Sequence, residues 1–365
     1  MNVPFLDLKT QYLTIREEVH AALDTVMENT AFVLGPAVNR FEEAFAAHHG
    51  AKHCVATCSG TSALHAALLA MGIGPGDEVI VPANTFIATA EAASHCGARP
   101  VFVDMAEKDF CIDPARIESA ITPRTRAIIP VHLYGQPAEI EKVCAVAEKH
   151  GLMVLEDCAQ AHDAEYKGRK VGTFGRAGAF SFYPGKNLGA YGEGGAVVTN
   201  DDALAAKVRM LRDHGSAKKY YHDLVGYNYR MHGFQGAVLG VKLKYLVDWT
   251  DERRRAAAKY REVLSDLPVG LPAEKPHVRH VYHLFVVRVK NRDAVMEALK
   301  QKGVATGIHY PIPLHLTGAY RHLGGKEGDL PVSERVSSEI VSLPMFAELA
   351  DEQIEYIGRC LREIL

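Results

Sequence analysis

Three segments of the sequence carry residue types that could do chemistry. The first is Cys58-Ser59-Gly60-Thr61-Ser62, between an apolar run and a helix-like stretch. Small hydroxylated residues and a glycine at a helix start leave backbone N–H groups free, and the helix dipole favours an anion beside them. Capping needs only one such residue; a row of them suits a phosphate. The second segment is Glu156-Asp157-Cys158-Ala159-Gln160, at the end of the apolar run 152–155. An acid at the carboxyl end of a strand faces the cleft where doubly wound sheets collect ligands, although a helix cap or a surface acid would read the same way. The third is Phe180-Ser181-Phe182-Tyr183-Pro184-Gly185-Lys186-Asn187-Leu188-Gly189. A lone lysine after a strand is ordinarily a solvated charge. Lys186, however, lies between an aromatic strand and the glycine-rich loop 189–195, where backbone can approach a ligand closely. A desolvated lysine loses its proton more readily and becomes a nucleophile toward carbonyls.

A phosphate cradle, an acid on a strand end and a lysine in a tight loop are the parts of a pyridoxal phosphate site. Lys186 would form the Schiff base, and Asp157 would keep the pyridine nitrogen protonated so that the ring draws electrons. Competing phosphate motifs fail. A Walker loop needs Ser or Thr after Gly-Lys, but Asn187 follows Gly185-Lys186. The runs Gly72-Ile73-Gly74-Pro75-Gly76 and Gly192-Glu193-Gly194-Gly195 precede strands, so neither is a dinucleotide fingerprint opening a helix. No metal site is expected: the 7 cysteines and 18 histidines are dispersed, without a Cys-x-x-Cys or a zinc helix. The cysteines read as buried reduced thiols.

The elements that must position these residues alternate along the first two-thirds of the chain. Strands are expected at 53–57, 78–81, 99–103, 126–132, 152–156, 178–183 and 195–199, with helices at 61–71, 85–96, 114–121, 137–150 and 203–213. Continuous apolar strands between helices indicate an α/β fold with a mostly parallel sheet covered on both faces. The stretch 178–199 has no room for a crossover helix and is expected to be antiparallel or irregular. A long helix over 234–265 leads to a smaller α/β unit with a strand at 282–290, a helix at 292–302, a strand at 304–309 and a terminal helix at 351–364. The chain is therefore divided into a large domain, 1–249, and a small one, 250–365. With 365 residues, 41 Lys plus Arg against 44 Asp plus Glu, and a net charge of −3, neither a nucleic-acid binder nor a membrane protein is expected. The start of the sequence does not read as a secretory signal, so a cytoplasmic enzyme is expected.

With these motifs the chain resembles the DegT/DnrJ/EryC1/StrS family of nucleotide-sugar aminotransferases almost end to end. The likeness is carried by Pro4-Phe5-Leu6-Asp7-Leu8-Lys9, Ser59-Gly60-Thr61, Pro82-Ala83-Asn84-Thr85-Phe86, Glu156-Asp157-Cys158-Ala159-Gln160-Ala161-His162, the Lys186 segment, Gly226-Tyr227-Asn228-Tyr229-Arg230-Met231 and Gly307-Ile308-His309-Tyr310-Pro311. The resemblance implies an aspartate-aminotransferase-like (fold type I) enzyme, a homodimer with shared active sites, and ping-pong transamination. It further implies that Lys186 is the Schiff-base lysine and proton shuttle, that Asp157 partners the pyridine nitrogen, and that Gln160 bonds the ring hydroxyl. Gly60, Thr61, Ser62 and Ser181 would hold the phosphate, and Phe86 would stack on the ring. Asn228 would reach the phosphate of the partner subunit, with Arg230, Tyr183, His309 and Tyr310 facing substrate. Family dehydratases replace the lysine by histidine, so Lys186 favours transamination. The Tyr183-to-Asn187 wording resembles members that aminate a 3-keto sugar. The expected reaction moves an amino group from L-glutamate to a nucleotide-linked 3-keto hexose of the UDP-3-keto-GlcNAc type, giving a 3-amino sugar for surface polysaccharide or lipid A type glycans. A dTDP-3-keto-6-deoxyhexose, a UDP-3-keto-GlcNAc-uronate and a non-catalytic cofactor-binding regulator are the alternatives. Tyr229, where the family often has Ser, places a phenol beside Asn228 and Arg230 and is expected to bear on the sugar preference.

Overall fold

A computed structural model describes all 365 residues. Two helices open the chain, α1 (Leu8–Glu28) and α2 (Pro36–His49); neither was foreseen. Then strands β1 (His53–Thr57), β2 (Glu78–Pro82), β3 (Arg99–Val103), β4 (Thr125–Ile128) and β5 (Met153–Asp157) alternate with α3 (Gly60–Ala70), α4 (Ala88–His95), α5 (Pro114–Ile117) and α6 (Ile140–Lys149). A small hairpin follows, β6 (Glu165–Tyr166) and β7 (Arg169–Lys170), then β8 (Ala177–Ser181), β9 (Gly195–Thr199) and α7 (Asp202–Arg212). The main sheet runs β1-β9-β8-β5-β4-β2-β3. Every strand is parallel except β9, which is antiparallel to β1 and β8, as the missing crossover helix required. Alternate residues feed opposite faces: Cys54 and Ala56 pack with Phe41 and Phe45 of α2, while Val55 packs with Leu64 and Leu68 of α3.

After β9 come the short ribbon β10 (Ser216–Lys218) and β11 (Tyr221–His222), then α8 (Gly233–Lys242) and α9 (Leu246–Val263). The single helix expected over 234–265 is thus interrupted by a 3₁₀ turn at Leu243–Tyr245. The remainder is β12 (Val278–Arg279), β13 (Phe285–Arg288), α10 (Arg292–Gln301), α11 (Pro331–Ser337), β14 (Ile340–Leu343) and α12 (Asp351–Ile364). The strand expected at 304–309 does not form. Val304 bridges Val3 and Gly307 bridges Ser342, and the antiparallel partner of β13 is β14. A second core gathers Tyr260, Phe285, Leu299, Leu343 and Ile357. Val3, placed by sequence with the large domain, packs into this core. The division expected at 249/250 falls inside α9, whose Leu246 belongs to the main core and whose Ala256, Ala257 and Tyr260 belong to the second. No helix is long and apolar enough to cross a membrane.

Candidate active site

The carboxyl ends of β1, β2, β5 and β8 open onto one cavity of about 650 Å³, closed from the other side by Phe5, His283, His309, Tyr310 and Met345. Of the residues singled out by sequence, Gly60, Thr61, Phe86, Asp157, Gln160, Ser181, Tyr183, Lys186, His309 and Tyr310 all line it. Ser62, Asn228 and Arg230 do not.

At one end lies the start of α3. Ser59 caps it by accepting the Ser62 N–H at 3.1 Å, and the Ser62 hydroxyl turns back to accept the Ser59 N–H at 2.9 Å. Ser62 is therefore spent on the capping box and is not part of the cavity wall. This leaves the Gly60 and Thr61 N–H groups without acceptors in the chain, as helix starts do. Glycine is required at 60 by space: a Cβ there would stand 2.6 Å from Ser181 Cβ. A small anion held by two N–H groups and the Thr61 and Ser181 hydroxyls fits this corner.

Asp157 ends β5, fully surrounded by protein. Its Oδ2 accepts from the Thr89 hydroxyl at 2.7 Å and its Oδ1 from the Ala159 N–H at 3.0 Å. Thr89 gives its hydrogen to Asp157, so the 3.0 Å contact between Thr85 and Thr89 is a donation from Thr85. Burial raises the Asp157 pKa despite these bonds and the Lys186 charge. A carboxylate in that condition gains from a cation placed before it, which a protonated pyridine nitrogen supplies. Gln160 is fixed on both sides: Oε1 accepts the Tyr134 N–H at 2.6 Å, and Nε2 donates to Tyr310 Oη at 3.1 Å. Phe86 follows β2, where the helix expected to begin at 85 begins instead at Ala88, leaving Thr85 and Phe86 in a turn over the cavity. Its ring is 5.7 Å from that of Tyr310.

Lys186 faces Asp157 across the cavity. Burial pushes its pKa down to about 8, opposed by Asp157. The two nearby imidazoles stay uncharged: burial and then the Lys186 ammonium lower His309 to about 4 and hold His283 well below its ordinary range. His309 shares a 2.8 Å hydrogen bond with Ser342 through Nδ1 and stacks on Phe5, centroids 5.8 Å apart.

Sequence reasoning missed Thr89, Thr85, Glu193, His283 and Phe5. Thr89 had one available signal, its i+4 spacing from Thr85 at a helix start. It also missed Glu156, whose carboxylate accepts from His132 Nε2 at 3.0 Å and from the Gly172, Phe174 and Gly175 N–H groups at 2.7–2.8 Å. Cys158 lies beside this pair. His132 Nδ1 already accepts the Ala138 N–H at 3.0 Å, and burial drives the Cys158 thiol pKa up. His132 and Glu156 are thus spent on holding loops, and Cys158 beside them is a buried, protonated thiol.

Asn228 and Arg230 stand outside the cavity on the strand-like 226–230 segment. Tyr227 and Tyr229 donate their N–H groups to the end of α7, Leu211 O at 2.7 Å and Arg212 O at 2.9 Å. The even-numbered side chains therefore point outward, where Arg230 Nε donates to Asn228 Oδ1 at 3.0 Å. The Tyr229 phenol turns the other way: it meets His65 Nδ1 at 3.0 Å and packs against the core of its own chain. By that alternation the phenol is turned away from Asn228 and Arg230, beside which the sequence reading placed it.

A model of the DegT/DnrJ/EryC1/StrS aminotransferase family matches residues 13–362. A protein of Geobacillus stearothermophilus named pleiotropic regulatory protein is 49% identical, covering 100% of this chain and 98% of its own length. The UDP-N-acetyl-3-dehydro-alpha-D-glucosamine 3-aminotransferase of Acidithiobacillus ferrooxidans is 46% identical, covering 100% and 98%. The crystal structure of S. venezuelae DesV in complex with a ketimine intermediate superposes with a TM-score of 0.97 at 46% identity, covering 99% of this chain and 98% of that one. The architecture is that of fold type I enzymes, and the cofactor is pyridoxal 5′-phosphate. Matched over nearly its whole length by the family model and by relatives of 46–49% identity, the chain belongs to the DegT/DnrJ/EryC1/StrS aminotransferase family.

Proposed function

We propose that this chain transfers an amino group from L-glutamate to the 3-keto carbon of a nucleotide-linked hexose, of the UDP-3-keto-GlcNAc type. The observation that carries the reading is the full-length 46% identity to an enzyme named for that reaction, joined to an intact Lys186–Asp157 pair in the cavity. Bound pyridoxal phosphate supplies a carbonyl to carry the amino group and a ring that withdraws electrons. The chain's own residues do the rest. Lys186 Nζ, with a pKa near 8, is neutral in a useful fraction of molecules near neutral pH and can take and return a proton at the reacting carbon. Asp157 would hold a proton on the ring nitrogen of the bound group. Gly60, Thr61 and Ser181 hold the phosphate, and Phe86 and Tyr310 shield the site from water. Neutral His309 offers the sugar a hydrogen-bonding edge without a charge.

Asn228 and Arg230 complete the site of a partner subunit in this reading. They are presented outward from their own core, and Leu13, Met27, Phe32 and Val33 expose apolar surface along α1 and the turn after it, as a subunit contact would. A regulator that binds cofactor without turnover is the second reading, favoured by the name of the Geobacillus relative.

Adding L-glutamate to the purified protein and following the absorbance of the bound cofactor tests both. Conversion to the pyridoxamine form supports the enzyme, and a cofactor that never converts supports the regulator. A panel of 3-amino sugar nucleotides, run in the reverse direction, then decides the sugar: fastest conversion by the UDP-linked 2-acetamido compound is expected, and preference for a dTDP-linked or uronate compound would displace it.

A further inference from the structure

Lys242, the last residue of α8, is buried yet has no strong ion pair. Lysines are rarely buried in this way unless paired. Its Nζ donates to the Gly189 carbonyl at 2.6 Å and lies 5.3 Å from the centre of the Tyr191 ring and 5.7 Å from that of Trp249. Burial lowers its pKa to about 8, with Glu348 the acid that opposes and Arg253 the cation that adds to the shift.

The carbonyl it holds belongs to the loop that carries Lys186. That loop has no slack. The Lys186 N–H bonds Tyr183 O and the Ala190 N–H bonds Phe182 O, both at 2.8 Å. A Cβ on Gly189 would stand 2.2 Å from Pro184 O. On the side facing the 281–283 segment, Asn187 Nδ2 donates to Val281 O at 2.9 Å, and its Oδ1 meets His283 Nδ1 at 3.2 Å. Asn187 and Lys242 thus grip successive parts of one turn from two different layers of the molecule.

We propose that Lys242 is a positioning residue for the catalytic amine: by clamping the Gly189 carbonyl it keeps the Lys186 loop tight, and with it the half-buried place at the cavity wall in which the Lys186 amine stands. Releasing the carbonyl lets the loop lift and more water reach Nζ, and the amine moves toward ordinary lysine basicity. The inference rests on Lys186 being the reacting amine, and the test keeps the two apart.

In cofactor-free protein, competitive labelling with trace acetic anhydride across a pH series, read by the mass of the Lys186 peptide, reports the ionisation of that one amine. Wild type is expected to show a midpoint near 8. Lys242→Met is expected to raise it by about one unit or more toward the ordinary lysine value and to slow capture of added pyridoxal phosphate about tenfold. Lys242→Arg, which keeps the charge and the donors, is expected to restore both. If the Met variant does not fold, Lys242→Gln, too short to reach the carbonyl, is read the same way. An unchanged Lys186 midpoint in a folded Met or Gln variant would overturn the clamp. An ordinary lysine midpoint in wild type would overturn the assignment of Lys186 itself.

Discussion

The loop around Lys186 and the arm around Asn228 both carry residues proposed for the site, yet they are built in opposite ways. The first is enclosed beyond the lysine: Lys186 is half-buried at the cavity wall, Asn187, Leu188 and Ala190 are buried, and the turn is held at both flanks. The second begins in a ribbon with almost no core, where Tyr220 is 80% exposed and Val225 90%. The arm is fixed along 227–230, by its bonds to the end of α7, by the Tyr227–Tyr229 stack, 4.9 Å between centroids, by the Cys58 N–H to Tyr229 O bond at 2.8 Å and by the Arg230–Asp213 ion pair at 3.2 Å. The difference teaches where each part finds its burial. A group that must lose water to react is enclosed by its own chain, whereas a group offered to another molecule needs a rigid base and a free end.

Breaking the enclosed side should have the largest effect. Lys186→Ala is expected to reduce transamination by about 10³-fold or more while the fold and much of the cofactor binding survive, since phosphate and ring contacts lie on other residues. Stopped-flow absorbance with L-glutamate checks it, and substantial turnover without an added amine would contradict it. Asp157→Asn comes next, at about 10²-fold or roughly 3 kcal/mol of barrier, because the amide carries no charge to keep the ring nitrogen protonated. Unchanged turnover would reduce Asp157 to a cap on the 158–160 turn.

The arm should respond differently. Asn228→Ala is expected to weaken cofactor retention about tenfold, the value of one hydrogen bond to a charged group, with a smaller change in the chemical step. Dialysis followed by absorbance measures it, and dilution should release cofactor as subunits part. A monomer that keeps cofactor and activity at every dilution would remove the cross-subunit role. The smallest effect belongs to Tyr229→Phe, which keeps the ring packing and loses one bond to His65: about 1 kcal/mol of stability, read by denaturant midpoint, with sugar preference unchanged. A switch in sugar preference would place the phenol in the site after all.

The enclosed side was far easier to read from sequence than the arm's surroundings or the second core. The cradle, the acid and the lysine each occupy a few consecutive residues whose types state their chemistry. Lys242 carries no such mark, since nothing local distinguishes it from the solvated lysines of the same helical pattern, and its partner carbonyl lies in a distant loop. The pairing of β13 with β14 was hidden for the same reason, whereas 304–309 looked like a strand because Val304 and Ile308 are apolar. The helix α1 was readable in principle: Ile15, Val19 and Val26, all buried, fall on one face. For Tyr229 the motif states its neighbours but not its side, and the bonds of 227 and 229 to the end of α7 decide that side.

The bridge between Val3 and Val304 has a consequence for the order of assembly. The Val3 N–H bonds Gly303 O at 2.8 Å, and the Ala305 N–H bonds Val3 O at 3.0 Å, while Leu6 lines the active-site cavity. During synthesis the first residues leave the ribosome hundreds of positions before their partners exist. The main sheet, complete by β9, can form early from shorter-range contacts. The second core, and the cavity wall that Phe5 and Leu6 supply, must wait for the final third of the chain, so closure of the active site is a late and long-range event in folding.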